Sequence, residues 1–137
     1  MPDIVYTDAA CFGEVDIGDL YRDAGWHAYL KDLPRLMKAF SKSLLVVSAW
    51  DNDKLIGIIR VVGDGLTILY IQDILVHSAY KRMGVGLCLL RNVMERFCDI
   101  RQIVLLTDDN TETRGFYESN GFQSCDKGEL VAFIKSF

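Results

Sequence analysis

The spacing of apolar residues changes near Leu44, where a helical period gives way to the short apolar runs that are typical of strands. Before that point, a short apolar segment at residues 4–6 predicts a first strand. Residues 16–41 then carry apolar side chains at helical spacing, interrupted at Gly25. This segment predicts two short helices.

Three β-rich runs follow the predicted helices. Residues 44–50 and 55–62 flank the polar turn 51–54, which predicts a hairpin. A second turn at residues 63–65 leads into the long run 66–76, whose apolar character predicts a strand at the centre of a sheet. These three strands are expected to be antiparallel.

The second half of the chain returns to helical spacing. Its apolar positions are Leu87, Leu90, Met94 and Phe97. A short apolar strand at residues 103–106 follows, and a helix between two strands indicates a crossover and a parallel pair. Residues 111–119 predict another helix, and the segments 122–124 and 130–135 predict a last hairpin. The pattern therefore predicts an α/β class with a mixed sheet.

Composition adds the number of domains and excludes several classes of function. The 137 residues are 50% hydrophobic and 25% charged, without a repeat or a linker, which predicts one globular domain over residues 1–137. The formal charge of −4 argues against a nucleic-acid partner. No apolar run approaches the roughly 20 residues of a membrane span, and the first residues do not resemble a signal peptide. We therefore expect a cytoplasmic protein without a membrane partner.

The cysteines give little sign of a metal site. Four of them are scattered without a CxxC pair, and only two histidines accompany them. We therefore expect no metal, and thiols that are reduced rather than paired in disulfides.

Two segments carry residues suited to chemistry. The first, Lys81-Arg82-Met83-Gly84-Val85-Gly86-Leu87, lies between a predicted strand and a helix. Glycines there let the backbone approach a ligand, and the N–H groups at the start of a helix form a site for phosphate or pyrophosphate. A tight turn with no ligand is an equally good interpretation of this segment alone, since it lacks the complete Walker A or Rossmann pattern.

The second segment runs from Asn110 to Phe122 and contains the pair Phe116-Tyr117. Each of its residues has an ordinary structural interpretation, with Asn110 as a helix N-cap and the aromatic residues in the core. The two segments in this order, about thirty residues apart, resemble the GNAT superfamily of N-acetyltransferases. Its coenzyme A loop reads Gln/Arg-x-x-Gly-x-Gly/Ala, and its later helix reads Asn-x-x-x-x-x-Phe-Tyr-x-x-x-Gly-Phe. Lys81 departs from the first pattern but keeps the positive charge.

The resemblance implies a fold and a reaction. The fold would be a mixed sheet of about six to seven strands with a splayed central pair, flanked by about four helices. The reaction would be direct transfer of an acetyl group from acetyl-CoA to an amine acceptor, a small molecule or a peptide, in a ternary complex without a metal. Superfamily members are often dimers, which leaves a homodimer open. A non-catalytic domain that binds acetyl-CoA as a sensor is the alternative.

The resemblance also implies roles for particular residues. Backbone groups of Ile74, Leu75 and Val76 would face the pantetheine arm, and Asn110 would bind the coenzyme. Tyr117 would act as the general acid that protonates the leaving thiolate. The amides that bind pyrophosphate would be those of Arg82, Met83, Gly84, Val85, Gly86 and Leu87.

The general base and the acceptor pocket are less clearly indicated. Tyr70 occupies the place where histone-acetylating relatives carry a glutamate, so Asp73 is the nearest carboxylate in sequence. Asp73 could act through water, or it could form an ion pair that fixes the strand, and a water chain could take the proton instead. The acceptor wall is expected before Leu44, with Tyr21 and Trp26 as binding residues near His27 and Tyr29. Such an aromatic wall favours an aryl-alkyl amine or another cation, although the same residues could cover the core or a dimer contact.

Overall fold

The strands of the sheet follow one another in space in the order of the sequence. The structure is a computed structural model that describes residues 2–137. The sheet has the order β1-β2-β3-β4-β5, with the first three pairings antiparallel and the last one parallel. The strands are β1 Ile4–Thr7, β2 Leu45–Asp51, β3 Lys54–Gly63, β4 Ile68–Val76 and β5 Gln102–Leu105. The predicted α/β class with a mixed sheet is confirmed.

Five helices accompany these strands, against about four predicted. They are α1 Glu14–Asp23, α2 His27–Leu30, α3 Leu33–Ser41, α4 Val85–Arg96 and α5 Thr111–Glu118. The additional helix arises because Asp32 starts a new one, since its carboxylate accepts a hydrogen bond from the Arg35 N–H at 3.1 Å and Pro34 occupies the first turn. No helix within residues 2–137 is long and apolar enough to cross a membrane.

The β1–β5 sheet is covered on both faces. A side chain added at Gly57 on β3 would lie 3.0 Å from Val85 on α4, so Gly57 faces that helix. Successive residues of a strand point to opposite faces, and the next residue, Ile58, packs against α1 and α3. That cluster comprises Ile17, Leu20, Tyr21, Leu36, Phe40, Leu55, Ile58 and Leu75. Burial on both faces explains why β3 reads as a nearly continuous apolar run.

The parallel pair β4 and β5 separates after four residues. Its ladder runs from Ile68 opposite Gln102 to Ile71 opposite Leu105, whereas β4 continues to Val76. Within the described part of the chain, no strand pairs with residues 72–76 of β4 on the β5 side. The central pair is therefore splayed, and backbone groups of β4 stay available beyond Ile71.

The chain divides into two compact units, a larger one that ends at Leu105 and a smaller one, Leu106–Phe137. The smaller unit contains α5 and a 3₁₀ turn at Cys125–Lys127, and residues 128–137 have no regular secondary structure. The prediction of a last hairpin and of six to seven strands is wrong, because residues 2–137 form five strands. Apolar spacing reports strand propensity, but a strand also needs a hydrogen-bonded neighbour, and Phe133 in this tail is 93% exposed.

Candidate functional site

The segment between β4 and α4 is anchored by short contacts. The His77 N–H donates to the Ile56 carbonyl at 2.8 Å, and the Tyr80 hydroxyl donates to the Asp51 carboxylate. Lys81, Arg82, Met83 and Gly84 follow, all exposed, before α4 begins at Val85. The first part of the segment is therefore held by hydrogen bonds, while residues 81–84 are exposed to solvent.

The backbone of this loop leaves amide groups without acceptors at the start of α4. Arg82 and Gly84 have φ angles of +64° and +78°, in the left-handed region, and no side chain caps α4. The first hydrogen bond of the helix joins the Cys88 N–H to the Gly84 carbonyl, so the amides of Val85, Gly86 and Leu87 have no acceptor within the helix. A side chain added at Gly84 would meet nothing within 4 Å, which shows open space at the helix start. Such an N-terminus attracts a phosphate through its amides and its dipole.

The three β4 residues expected to face the coenzyme arm lie at the splayed end of the strand. Leu75 is buried, while Ile74 and Val76 are half-buried. All three pair with β3, opposite Ile59, Ile58 and Gly57. Their other backbone side is the one left without a strand partner, so the geometry accommodates the role implied for them.

Asp73 lies in a buried ion pair. Its carboxylate is 1% exposed, and Oδ2 accepts hydrogen bonds from Arg60 Nε at 2.7 Å and from the Tyr21 hydroxyl at 3.0 Å. Its other oxygen, Oδ1, is buried without a hydrogen-bond partner within the described residues. Of the two roles considered for Asp73, the ion pair that fixes the strand is present in the structure.

The charges of this cluster reinforce one another. Burial raises the pKa of Tyr21, and the Asp73 carboxylate raises it further, so the phenol stays protonated. Burial acts to lower the pKa of Arg60, but the Asp73 charge outweighs it and the pKa is raised. The guanidinium also lies 5.3 Å from the centre of the Phe40 ring. The cluster therefore holds a fixed pair of charges inside an aromatic wall.

The aromatic wall is built by α1, α2 and the turn between them. Trp26 and Tyr29 stack with centroids 6.1 Å apart, and the edge of Tyr21 meets both rings. Tyr21 is 0% exposed, so its ring serves packing and its hydroxyl serves Asp73, whereas Trp26 is half-buried. The Tyr29 hydroxyl accepts a hydrogen bond from Gln72 Nε2 at 2.9 Å. Trp26 and Tyr29 are therefore the members of the wall that reach its surface.

Sequence reasoning missed Arg60 and the pairing of Tyr29 with Gln72. Arg60 had a usable signal, because it is the one charged residue in the apolar run 55–62 of β3. A cation buried in a strand requires an anion nearby, and Asp73 is the charged residue of β4. The contact between Tyr29 and Gln72 joins segments 43 residues apart and left no local signal.

The end of α1 is tied to the start of the β4–α4 segment. The Asp23 carboxylate accepts from the Ser78 hydroxyl at 2.6 Å and from the Ser78 N–H at 2.8 Å, with His77 Nε2 at 3.6 Å. Burial acts to raise the pKa of Asp23, but the Ser78 hydrogen bonds lower it overall, so the group is ionised at neutral pH. The wall and the loop are thus connected.

The smaller unit contains Asn110 and Tyr117. Asn110 caps α5, since its side-chain oxygen accepts from the Thr113 N–H at 2.8 Å, and its amide nitrogen is the part that can donate to a ligand. Tyr117 is buried between Phe116 and Phe122, with centroids at 5.1 and 5.6 Å. Burial raises the pKa of Tyr117, so its hydroxyl carries a proton at neutral pH.

Known proteins are similar to this chain in sequence and fold. Residues 42–124 match the acetyltransferase (GNAT) domain family. The chain is 30% identical to an uncharacterized, ycf52-like N-acetyltransferase of Prochlorococcus marinus, covering 94% of this chain and 73% of the relative. A GNAT family acetyltransferase of Streptococcus pneumoniae has 30% identity and a TM-score of 0.85, over 100% of this chain and 98% of the other.

A more distant structure shares the fold alone. The PaiA N-acetyltransferase of Thermoplasma acidophilum, solved in complex with coenzyme A, has 14% identity and a TM-score of 0.71, over 88% of this chain and 90% of the other.

From the family match and the relatives together, the chain belongs to the GNAT acetyltransferase family, a family of transferases. The resemblance drawn from residues 81–86 and 110–122 is confirmed.

Proposed function

We propose that the protein transfers an acetyl group from acetyl-CoA to an amine. The observation that carries this proposal is that two features suited to binding a coenzyme occur at the same end of β4. The strand separates from β5 after Ile71, and the uncapped start of α4 follows shortly after Val76. An extended arm with an anionic pyrophosphate needs both a free strand backbone and a cluster of amides.

The proposed acetyl-CoA site uses these features. The amides of Arg82, Met83, Gly84, Val85, Gly86 and Leu87 bind the pyrophosphate, and Lys81 and Arg82 add local positive charge. Ile74, Leu75 and Val76 present backbone groups to the pantetheine arm, and the amide nitrogen of Asn110 donates to it. The left-handed Gly84 and the open space at that position fit a phosphate close to the backbone.

The chemistry requires the amine to lose a proton and the thiolate to gain one. An alkyl ammonium with a pKa of about 10.4 is mostly charged at neutral pH, so water carries its proton away before attack. Backbone N–H groups near Leu75 and Val76 stabilise the charge that develops on the thioester oxygen. Tyr117 then donates its proton to the thiolate as the C–S bond breaks; burial raises the pKa of Tyr117, so the phenol holds this proton at neutral pH.

Asp73 takes part through other groups rather than by contact with the amine. Its carboxylate is buried and already accepts two hydrogen bonds, so no acceptor molecule reaches it directly. We therefore assign to Asp73 the positioning of the wall rather than direct proton transfer.

A thiol-release assay tests the proposal. The protein is mixed with acetyl-CoA and separately with arylalkylamines, polyamines, amino acids, aminosugars and lysine peptides. We expect release that depends on one class of amine and exceeds hydrolysis without an acceptor. Acetyl-CoA binding with no release for any class would instead support the sensor alternative.

A further inference from the structure

Gln72 lies where β4 is irregular. The register of β3 and β4 shifts between Arg60, opposite Asp73, and Val61, opposite Ile71, so Gln72 is the extra residue of a β-bulge. Its neighbours Ile71 and Asp73 are buried, whereas Gln72 is exposed. Bulges re-aim side chains, often beside active sites. This one presents a polar side chain at the point where β4 leaves β5.

The free oxygen of Asp73 lacks a donor. A buried carboxylate oxygen without a hydrogen bond is costly and requires an explanation. Arg60 and Tyr21 both donate to Oδ2, which fixes the carboxylate and leaves Oδ1 as an acceptor without a donor.

Tyr29 can supply that donor. Burial raises the pKa of Tyr29 and the nearby Asp73 charge raises it further, so its hydroxyl keeps a proton. The Tyr29 oxygen already accepts from Gln72 Nε2 at 2.9 Å, so its hydrogen is directed elsewhere. Asp73 can only accept, so a Tyr29 hydrogen directed at Oδ1 would satisfy that oxygen, while the Tyr29 oxygen accepts from Gln72 Nε2.

The hydrogen bond to Tyr29 sets the orientation of the Gln72 amide. Since Nε2 is held by Tyr29, the carbonyl oxygen Oε1 is the atom that Gln72 offers to a ligand. A carbonyl oxygen accepts a hydrogen bond from an N–H group. It disfavours a carboxylate, because a carboxylate has no hydrogen to donate. The stacked rings of Trp26 and Tyr29 lie beside it and favour a cation.

We propose that Gln72 Oε1 is the subsite that binds the N–H group of the acceptor amine, with Tyr29 and Asp73 as positioning residues behind it. The inference rests on the proposed acetyl transfer and names the group that recognises its second substrate. Because Gln72 lies next to the splayed end of β4, an amine held there is near the arm that delivers the acetyl group.

Calorimetric titration in the presence of CoA tests the subsite without turnover. The probes are 2-phenylethylamine and 1,4-diaminobutane, with 3-phenylpropanoate as the carboxylate counterpart. We expect the parent protein to bind at least one amine and not the acid. Gln72→Leu, at an exposed position, and Tyr29→Phe, which keeps the stacked ring, should each weaken amine binding about ten- to a hundredfold.

The matched control is Tyr6→Phe, which removes a tyrosine hydroxyl on β1 and should leave amine binding unchanged. All variants should keep the parent's affinity for acetyl-CoA. With an amine that the protein acetylates, the weaker amine binding of Gln72→Leu and Tyr29→Phe should raise the KM for the amine and leave kcat unchanged. The inference is overturned if the parent binds neither amine, or if both variants bind it as the parent does. If amine binding follows the expected pattern but no thiol is released, the subsite stands and the proposed acetyl transfer fails.

Discussion

The donor and acceptor halves of the proposed acetyl-transfer site differ in the part of the chain that builds them. The donor side consists of backbone, with the left-handed Gly84, the uncapped start of α4 and the free side of β4. The acceptor side consists of side chains, with the Asp73–Arg60 ion pair behind the rings of Trp26 and Tyr29. The difference suggests that the donor side serves one unchanging ligand, while the acceptor side can change with single substitutions.

The largest expected effect is on the acceptor side. Arg60→Met leaves the Asp73 carboxylate buried without its cation and should lower the free energy of unfolding by about 3–5 kcal/mol. Urea denaturation measures this change. The folded variant should still be stabilised by acetyl-CoA, because the donor side does not use Arg60.

The double variant Arg60→Met, Asp73→Leu is the matched control. Replacing both charges removes the uncompensated anion, so most of the lost stability should return. Amine affinity in the double variant should stay below that of the parent, because Asp73 no longer lies behind Tyr29. A single variant that is as stable as the parent would show that the ion pair does not support the wall.

Tyr117→Phe should lower kcat about ten- to a thousandfold while acetyl-CoA binding stays intact. The ring keeps its packing between Phe116 and Phe122, so only the proton donor is lost. Because the pKa of Tyr117 is raised above its usual value near 10, the phenol stays protonated up to about pH 9. The parent rate should therefore show no loss from this group between pH 7 and 9. Unchanged turnover, in an assay limited by chemistry, would make Tyr117 a packing residue.

Trp26→Ala should have the smallest effect. Losing a ring that faces the amine costs about 0.5–2 kcal/mol, or about a two- to thirtyfold rise in amine KM. Acetyl-CoA affinity should not change, which steady-state kinetics with each substrate varied in turn would show. A large fall in Tm with intact amine affinity would instead assign Trp26 to the hydrophobic cluster that it borders.

The sequence predicted the strand, turn and helix of the proposed donor side because local patterns encode them. The strand, the Gly84-Val85-Gly86 turn and the helix are adjacent in sequence, and backbone geometry depends mainly on such local features. The antiparallel run of β2, β3 and β4 was predicted for the same reason, and so was the crossover through α4 to β5.

The side-chain contacts of the proposed acceptor side were predicted less well because they join distant parts of the chain. Tyr21 reaches Asp73 across 52 positions, so the sequence suggested an aromatic wall but not which rings reach its surface. The bulge that exposes Gln72 arises from the register of two strands, which apolar spacing does not specify. The prediction for residues 122–135 was wrong for a different reason. Their apolar residues indicate strands, but the structure provides no strand that pairs with them.

The most direct test of the backbone-built donor side compares Gly84→Val with Gly25→Val. The two glycines have φ angles of +78° and +76°, and an added side chain meets nothing within 4 Å at either position. Both substitutions should therefore destabilise the fold by a similar amount, about 1–2 kcal/mol, through backbone strain. The measurement is the rise in Tm with acetyl-CoA at 100 times its Kd, where binding stabilises the parent by about 2.7 kcal/mol. We expect Gly25→Val to keep this rise and Gly84→Val to lose it; an equal rise in both variants would contradict a donor site built from the α4 backbone.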